Sequence, residues 1–310
     1  MIHAMLILPL EQQLTLKPAA ASPPKGRKPS ISNDARLVPD GKGVMMYDYG
    51  DSTGKVYNPK VVAVEGLRYY HNFQYAGVEG AKAHFLNSAD WLVDNAAAKQ
   101  GGRYSLWEYD FPWMFYGGIA PPYASALAQA EGAELLAKAH SVTNEEKYLQ
   151  AAHKAAAALL VDYDEGGVAS VEDGGDSAFL HLIAKPGFKK IYVLNGHTGA
   201  LLHLWKYYKI ADDKVAKDVF DRGMRYLKNH LAEFDAGDWS YYDKVGTMAM
   251  ESYHKGHIKQ LGYLYDITKD PTVELYGRKF QVYYQERHGS AAGQKAEISA
   301  ARKEPDDQQD

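Results

Sequence analysis

The chain has 310 residues, of which 46% are hydrophobic and 24% charged, with a formal net charge of −4. Those figures describe an ordinary globular chain long enough to bury a substantial core, without the basic excess that drives nucleic-acid binding through phosphate neutralisation. No cysteine occurs, which excludes disulfides, thiolate catalysis and Cys-ligated metal centres.

Tyrosine outnumbers phenylalanine 24 to 9. A core built only for packing favours Phe, because every buried Tyr hydroxyl needs a partner. The excess points to wet, partly polar cavities of the kind that bind carbohydrate, or more simply to a Tyr-rich surface.

Met1 to Leu10 is apolar apart from His3. It lacks a basic start and a small-residue cleavage site, and is far below the ~20 residues of a membrane span. It reads as a strand or loose arm, with neither a signal peptide nor a transmembrane helix expected. Lys17 to Ser32 is rich in Pro, Ser and Lys and reads as an extended linker. Turn signals from Leu37 to Lys60 predict a short hairpin region, so residues 1–58 form an extended or β-hairpin arm.

From residue 59 to 288 the periodicity is helical, and the helices come in pairs. Val61–Ala76 pairs with Gly80–Ala98, Pro122–His140 with Glu145–Asp162, Asn195–Ile210 with Asp212–Phe234, and Met250–Thr268 with Pro271–His288. Asn144 is the expected N-cap of the fourth helix and Asp270 that of the eighth, with Pro271 at its first position. The joints resemble one another: LLAKAHSVTNEEKY, LLHLWKYYKIADDKV and QLGYLYDITKDPTV each run from an apolar helical face through a short polar turn into a new helix. The expected fold is all-α, an (α/α) toroid or barrel of about four helical hairpins, with an open solenoid as the competing arrangement. Three long irregular insertions separate the hairpins: Lys99–Pro121, Glu165–Val193 and Asp235–Ala249. Such connections in a compact domain are usually functional. Residues 289–310 lose periodicity and read as a disordered tail.

The last insertion and the helix after it hold the densest chemistry, Trp239 to Leu261. Tyr253 and His257 are four residues apart and His254 and His257 three apart, so all three can share one helix face. An H-x-x-H pair offers two ligands, and zinc normally takes a third from the protein. A satisfied helix-face pair is the simpler reading, and neither metal nor cofactor is expected.

Four blocks, SALAQAEG from Ser125, YVLNGHTGALLHLWKYYK from Tyr192, FDAGDWSYYD from Phe234 and YHKGHIKQL from Tyr253, resemble the C-terminal catalytic domain of the D-glucuronyl C5-epimerases, in the family's order and with similar spacing. The resemblance implies an (α/α) barrel that converts D-glucuronate to L-iduronate within a heparosan- or heparan-like polysaccharide, and an acidic polysaccharide as partner. The family's larger members are dimeric, so a homodimer is among the arrangements it implies. Abstracting the C5 proton needs a base, reprotonation needs an acid on the opposite face, and the enediolate needs its carboxylate paired. The family's catalytic tyrosines match Tyr242 and Tyr253. Asn195 matches an Asn at the substrate, and His254 and His257 occupy supporting positions. The family's third catalytic Tyr lies in a Glu-Glu-Tyr-Pro block. An ungapped count from Asn195 puts Ile183, Ala184, Lys185 and Pro186 there, so Lys185 stands where Tyr is expected. Lys185 or Lys244 is then the candidate partner of the substrate carboxylate, and Gln129 and Asp243 are candidate sugar contacts. A uronate lyase, a glycoside hydrolase and a non-catalytic glycan-binding homologue are the alternatives.

Overall fold

A computed structural model describes residues 26–50 and 53–301. The arm read over Met1–Leu10, the part of the linker before Gly26 and residues 302–310 of the expected tail lie outside the described residues. The chain divides into two compact units, Met1–Leu227 and Lys228–Asp310.

The first unit opens with a small antiparallel sheet, β1 (Leu37–Pro39), β2 (Met45–Asp48) and β3 (Lys55–Val56), in the order β1-β2-β3. This is the hairpin region the turn signals predict. Three helix pairs follow: α1 (Pro59–His71) with α2 (Ala81–Asp94), α3 (Ala126–Thr143) with α4 (Glu146–Ala157), and α5 (Leu194–Ala211) with α6 (Lys214–His230). The odd-numbered helices pack side by side, α1 on α3 and α3 on α5, while α2 covers α1 and α4 covers α3. On α5, His197 Nε2 donates to the Gly223 carbonyl of α6 at 3.1 Å, and Trp205 packs on Phe220 at 5.0 Å between ring centres. The unit therefore has an inner and an outer layer of helices. Close packing between elements explains one glycine: a Cβ on Gly132 of α3 would lie 2.4 Å from the buried Trp107 ring, far inside contact distance.

The second unit holds the fourth pair, α7 (Glu251–Thr268) and α8 (Pro271–Ala301), packed against each other over Leu261, Leu264, Val273 and Phe280. Asp270 caps α8 as expected, accepting from the amides of Thr272 and Val273 at 2.9 and 3.3 Å. The helix runs past the predicted end at His288. Five of residues 289–301 are Ala, the strongest helix former.

The chain is thus mainly helical and built from hairpins, as the periodicity implies. Two details differ. Asn144 is not the N-cap of α4: it sits at φ 60° as the left-handed C-cap of α3, donating to the His140 carbonyl, and Glu145 takes the N-cap position. The first two insertions are also not structureless, because each contains a β-hairpin: β4 (Ala97–Lys99) with β5 (Tyr104–Leu106), and β6 (Ala169–Glu172) with β7 (Ser177–Leu180).

Candidate active site

In the second unit the chain leaves a short 3-10 turn, Leu231–Phe234, and folds into a tight loop before α7. Asp243 makes the loop. Its buried carboxylate accepts from the amides of Val245 and Thr247 at 3.0 and 3.1 Å, the local side-chain-to-backbone bonding that lets Asp nucleate turns. The amide of Tyr242 closes the loop on the Thr247 carbonyl at 2.6 Å, and Tyr241 bridges to Met248. The loop thereby carries Tyr242 to Tyr253 of α7, the two rings lying 4.7 Å apart at 52°. The hydroxyls are hydrogen-bonded. Burial raises the pKa of Tyr253 above the ordinary phenol value, and the bond from Tyr242 opposes that rise only in part.

Next along α7, His254 and, a turn after Tyr253, His257 converge on Ser240. Its Oγ lies 2.8 Å from Nδ1 of each ring, and all three side chains are fully buried. His254 also receives the Ser240 amide on Nδ1 at 3.3 Å and donates from Nε2 to the Phe280 carbonyl at 2.9 Å. Its ring stacks on Trp239 at 3.5 Å between centres, while the Trp239 indole N–H holds the Ala249 carbonyl. Burial drives the His254 pKa down against the effect of the Phe280 bond. It takes His257 to about 3, with the neighbouring His254 adding to the effect. Both rings are therefore neutral, and they pin the loop to the helix.

The candidate cations are engaged elsewhere. Lys244 pairs with Glu233 at 2.8 Å inside the second unit. Lys185, in the first unit, donates to the carbonyls of Ala120 and Pro121 at 2.6 and 3.4 Å. Asn195 is buried in the first turn of α5, whose N-cap is Val193. Gln129, the expected sugar contact, lies on α3 of the first unit. It is fully buried, accepts from the Trp107 amide at 2.9 Å, and donates to the carbonyls of Ser105 and Ala155 at 2.8 and 3.3 Å. Its amide satisfies backbone groups beside β5 and in α4, so it braces the scaffold. Asp243 is likewise a loop former, with its carboxylate turned onto loop amides.

Of the nine candidate residues, the structure gathers Tyr242, Asp243, Lys244, Tyr253, His254 and His257 in one neighbourhood. Lys185, Asn195 and Gln129 belong to the first unit. Ser240 was missed, and the only sequence signal is a small hydroxyl inside the aromatic run WSYYD. Also missed is a buried ionic cluster across three inner helices. His203 Nδ1 meets Glu134 at 2.6 Å, Lys206 and Lys138 lie 3.7 and 3.5 Å from the same carboxylate, and Lys60 lies 3.5 Å from Glu131. Charged residues three or four apart on otherwise apolar helices were its trace. Among the described residues, no group of three or more His, Asp or Glu side chains is arranged to hold a metal ion, and no helix is long and apolar enough to cross a membrane.

Comparison with known proteins places this geometry in context. The family model for the D-glucuronyl C5-epimerase C-terminus matches residues 100–282, more than half of the chain. An uncharacterised protein of Methanocaldococcus jannaschii is 28% identical over 176 residues, 57% of each chain. A D-glucuronyl C5-epimerase of Caenorhabditis elegans is 28% identical over 208 residues, 61% of this chain and 33% of that protein. The chain therefore spans between a third and just over half of the length of these relatives. A D-mannose isomerase crystal structure aligns with a TM-score of 0.48 at 17% identity, covering 81% of this chain and 64% of that one.

Proposed function

Because the chain belongs to the family of the D-glucuronyl C5-epimerase C-terminus, we propose that it is a carbohydrate epimerase acting at C5 of a uronate in an acidic polysaccharide, converting D-glucuronate to L-iduronate in a heparosan-like polymer. The observation that carries the reading is the contact between half-buried Tyr242 and buried Tyr253, the two tyrosines that match the family's catalytic tyrosines in the resemblance. Epimerisation through an enediolate takes the C5 proton from one face and returns one to the other. Burial keeps Tyr253 protonated, which suits it to give a proton. Tyr242 then takes the role of base. A hydrogen bond between the two hydroxyls leaves no room for a sugar ring, so the substrate must part them to lie between. The carboxylate that gains charge in the enediolate needs a cation. Lys244 of the same unit, moving from Glu233, is the candidate.

Incubation with heparosan in deuterated buffer, followed by NMR, tests the reading. Deuterium should enter at C5 without chain cleavage, and iduronate should accumulate. Tyr253→Phe should lower exchange by roughly 10²–10⁴-fold, the usual worth of a general acid or base. Ultraviolet absorbance from an unsaturated uronate would replace epimerase with lyase, which shares the first step. New reducing ends without unsaturation would indicate a hydrolase. The absence of all three signals across a panel of uronate polymers would refute the proposal.

A further inference from the structure

The hydrogen bonds around Ser240 fix a direction as well as a set of partners. The Phe280 carbonyl can only accept, so His254 Nε2 carries the proton of that bond. His254 Nδ1 faces the Ser240 backbone N–H at 3.3 Å and must itself be an acceptor. The Ser240 hydroxyl, 2.8 Å from the same Nδ1, therefore donates to it. A hydroxyl has one proton, and with that proton spent its oxygen can only accept from His257 Nδ1 at 2.8 Å. His257 is then the Nδ1–H tautomer, with a bare Nε2 that is buried and lacks a hydrogen-bond partner. A proton added there would make a buried cation beside a second imidazole with nothing to offset it. The chain of bonds runs one way, from His257 through Ser240 and His254 to the Phe280 backbone of α8.

We propose that Ser240 is a positioning residue, whose one-way relay between His257 and His254 locks the Tyr242 loop onto α7 and so sets the Tyr242–Tyr253 pair. Other ties to the helix pair lie on the chain before the loop: the Ser240 amide meets His254 Nδ1, Trp239 stacks on the His254 ring and under the Arg287 guanidinium, and Asp235 holds Lys279 and Tyr283. Ser240 accepts the Ala249 amide at 3.0 Å, Trp239 holds the Ala249 carbonyl at 2.7 Å, and Tyr253 meets Tyr242. Only the hydroxyl joins the segment before the loop to both buried imidazoles of α7. Removing it leaves the buried Nδ1–H of His257 without an acceptor and His254 Nδ1 with only the Ser240 backbone amide at 3.3 Å, and the cheapest response is for the loop to shift. Because the catalytic consequence rests on the epimerase reading, the test separates the two.

The first measurement needs neither substrate nor variant. Nitrogen-15 NMR of the imidazoles in the full chain should show His254 protonated on Nε2 and His257 on Nδ1. A His257 ring protonated on Nε2, or a cationic ring at neutral pH, overturns the relay. The second compares Ser240→Ala and Ser240→Thr with the parent by the cross-ring nuclear Overhauser effect between Tyr242 and Tyr253. The effect should be lost in Ser240→Ala and kept in Ser240→Thr, which retains the hydroxyl. A cross-peak unchanged in a folded Ser240→Ala overturns the positioning role whether or not the protein is an epimerase. Where C5 exchange is observed in the parent, Ser240→Ala should lower kcat by roughly a hundredfold, as ångström-scale misplacement does, and leave KM little changed. Loss confined to KM would place Ser240 in substrate binding and refute the assignment.

Discussion

A histidine buried without charge makes its presence felt through pH. The His257 pKa falls from an ordinary 6.5 to about 3 on folding. Above about pH 6.5 the ring is neutral in both the folded and unfolded chain and costs nothing. As pH falls below that value, the unfolded chain takes a proton that the folded one refuses. Stability then drops by about 1.4 kcal/mol per pH unit for this group, until the folded ring titrates. In urea unfolding between about pH 6.5 and 4, His257→Asn, which keeps a donor near Nδ1, should show a shallower loss with falling pH than the parent by about one proton. Equal slopes would mean that His257 is already solvated. The sequence disclosed Tyr253, His254 and His257 because helical spacing alone puts them on one face. It could not disclose Ser240, whose role depends on a loop returning across fourteen residues to His254. Gln129 is ambiguous in the sequence for a related reason. An amide on an inner helix suits sugar hydroxyls as well as orphaned backbone groups, and only the nearby β-hairpin decides between them.

The joints between paired helices show how elements are ended. The first helix of each pair, or the π-helical turn that extends α1, leaves through one left-handed residue: Gly77, Asn144, Asp212 and Lys269, at φ 66, 60, 51 and 56°. In the last three the amide of that residue donates four residues back, at 2.7 to 2.8 Å, which satisfies one of the helix's orphan carbonyls. Glycine takes this conformation without strain and Asn or Asp with little, but Lys does so at a steric cost. Lys269→Gly should therefore raise stability by about 0.5–1 kcal/mol, despite glycine's greater freedom in the unfolded chain. A lower urea midpoint for Lys269→Gly than for the parent would show that the Lys side chain contributes more than the strain removes. The pairs themselves were legible, since apolar spacing over a dozen or more residues is unambiguous. Strands β4 to β7 were not, because three or four residues are too few to establish an alternation. Asn144 ends one helix where the sequence predicts that it starts the next, since Asn suits both positions.

At the scale of the molecule, the inner layer of the first unit is joined by charge as well as by apolar contact. Burial pushes the Glu134 carboxyl up, but Lys206, Lys138 and His203 outweigh it and hold the group below the usual carboxylate range. Burial also raises Glu131, and there Lys60 and His203 fall short of compensating it. The two carboxylates should therefore respond differently to neutralisation. Glu134→Gln strands buried cations and should cost about 3–5 kcal/mol. Glu131→Gln, replacing a group already biased toward its neutral form, should cost clearly less. Chemical denaturation of the two variants measures the difference, and equal losses would mean that Glu131 is fully charged in the folded protein. The sequence marks this cluster only by charges three or four apart on apolar helices, because it joins residues from α1, α3 and α5, whose adjacency is a property of the layer. The single-residue joints have a further consequence, for where such a chain can change. Each hairpin has a frugal end, where direction reverses in a few residues with a fixed backbone, and a generous end, where the long insertions enter and leave. Length variation, grafted peptides and new side-chain chemistry can accumulate at the generous ends while the frugal ends stay uniform. A library of random insertions selected for folding should therefore be populated in 99–121, 165–193 and 235–249 and depleted around Asn144, Asp212 and Lys269.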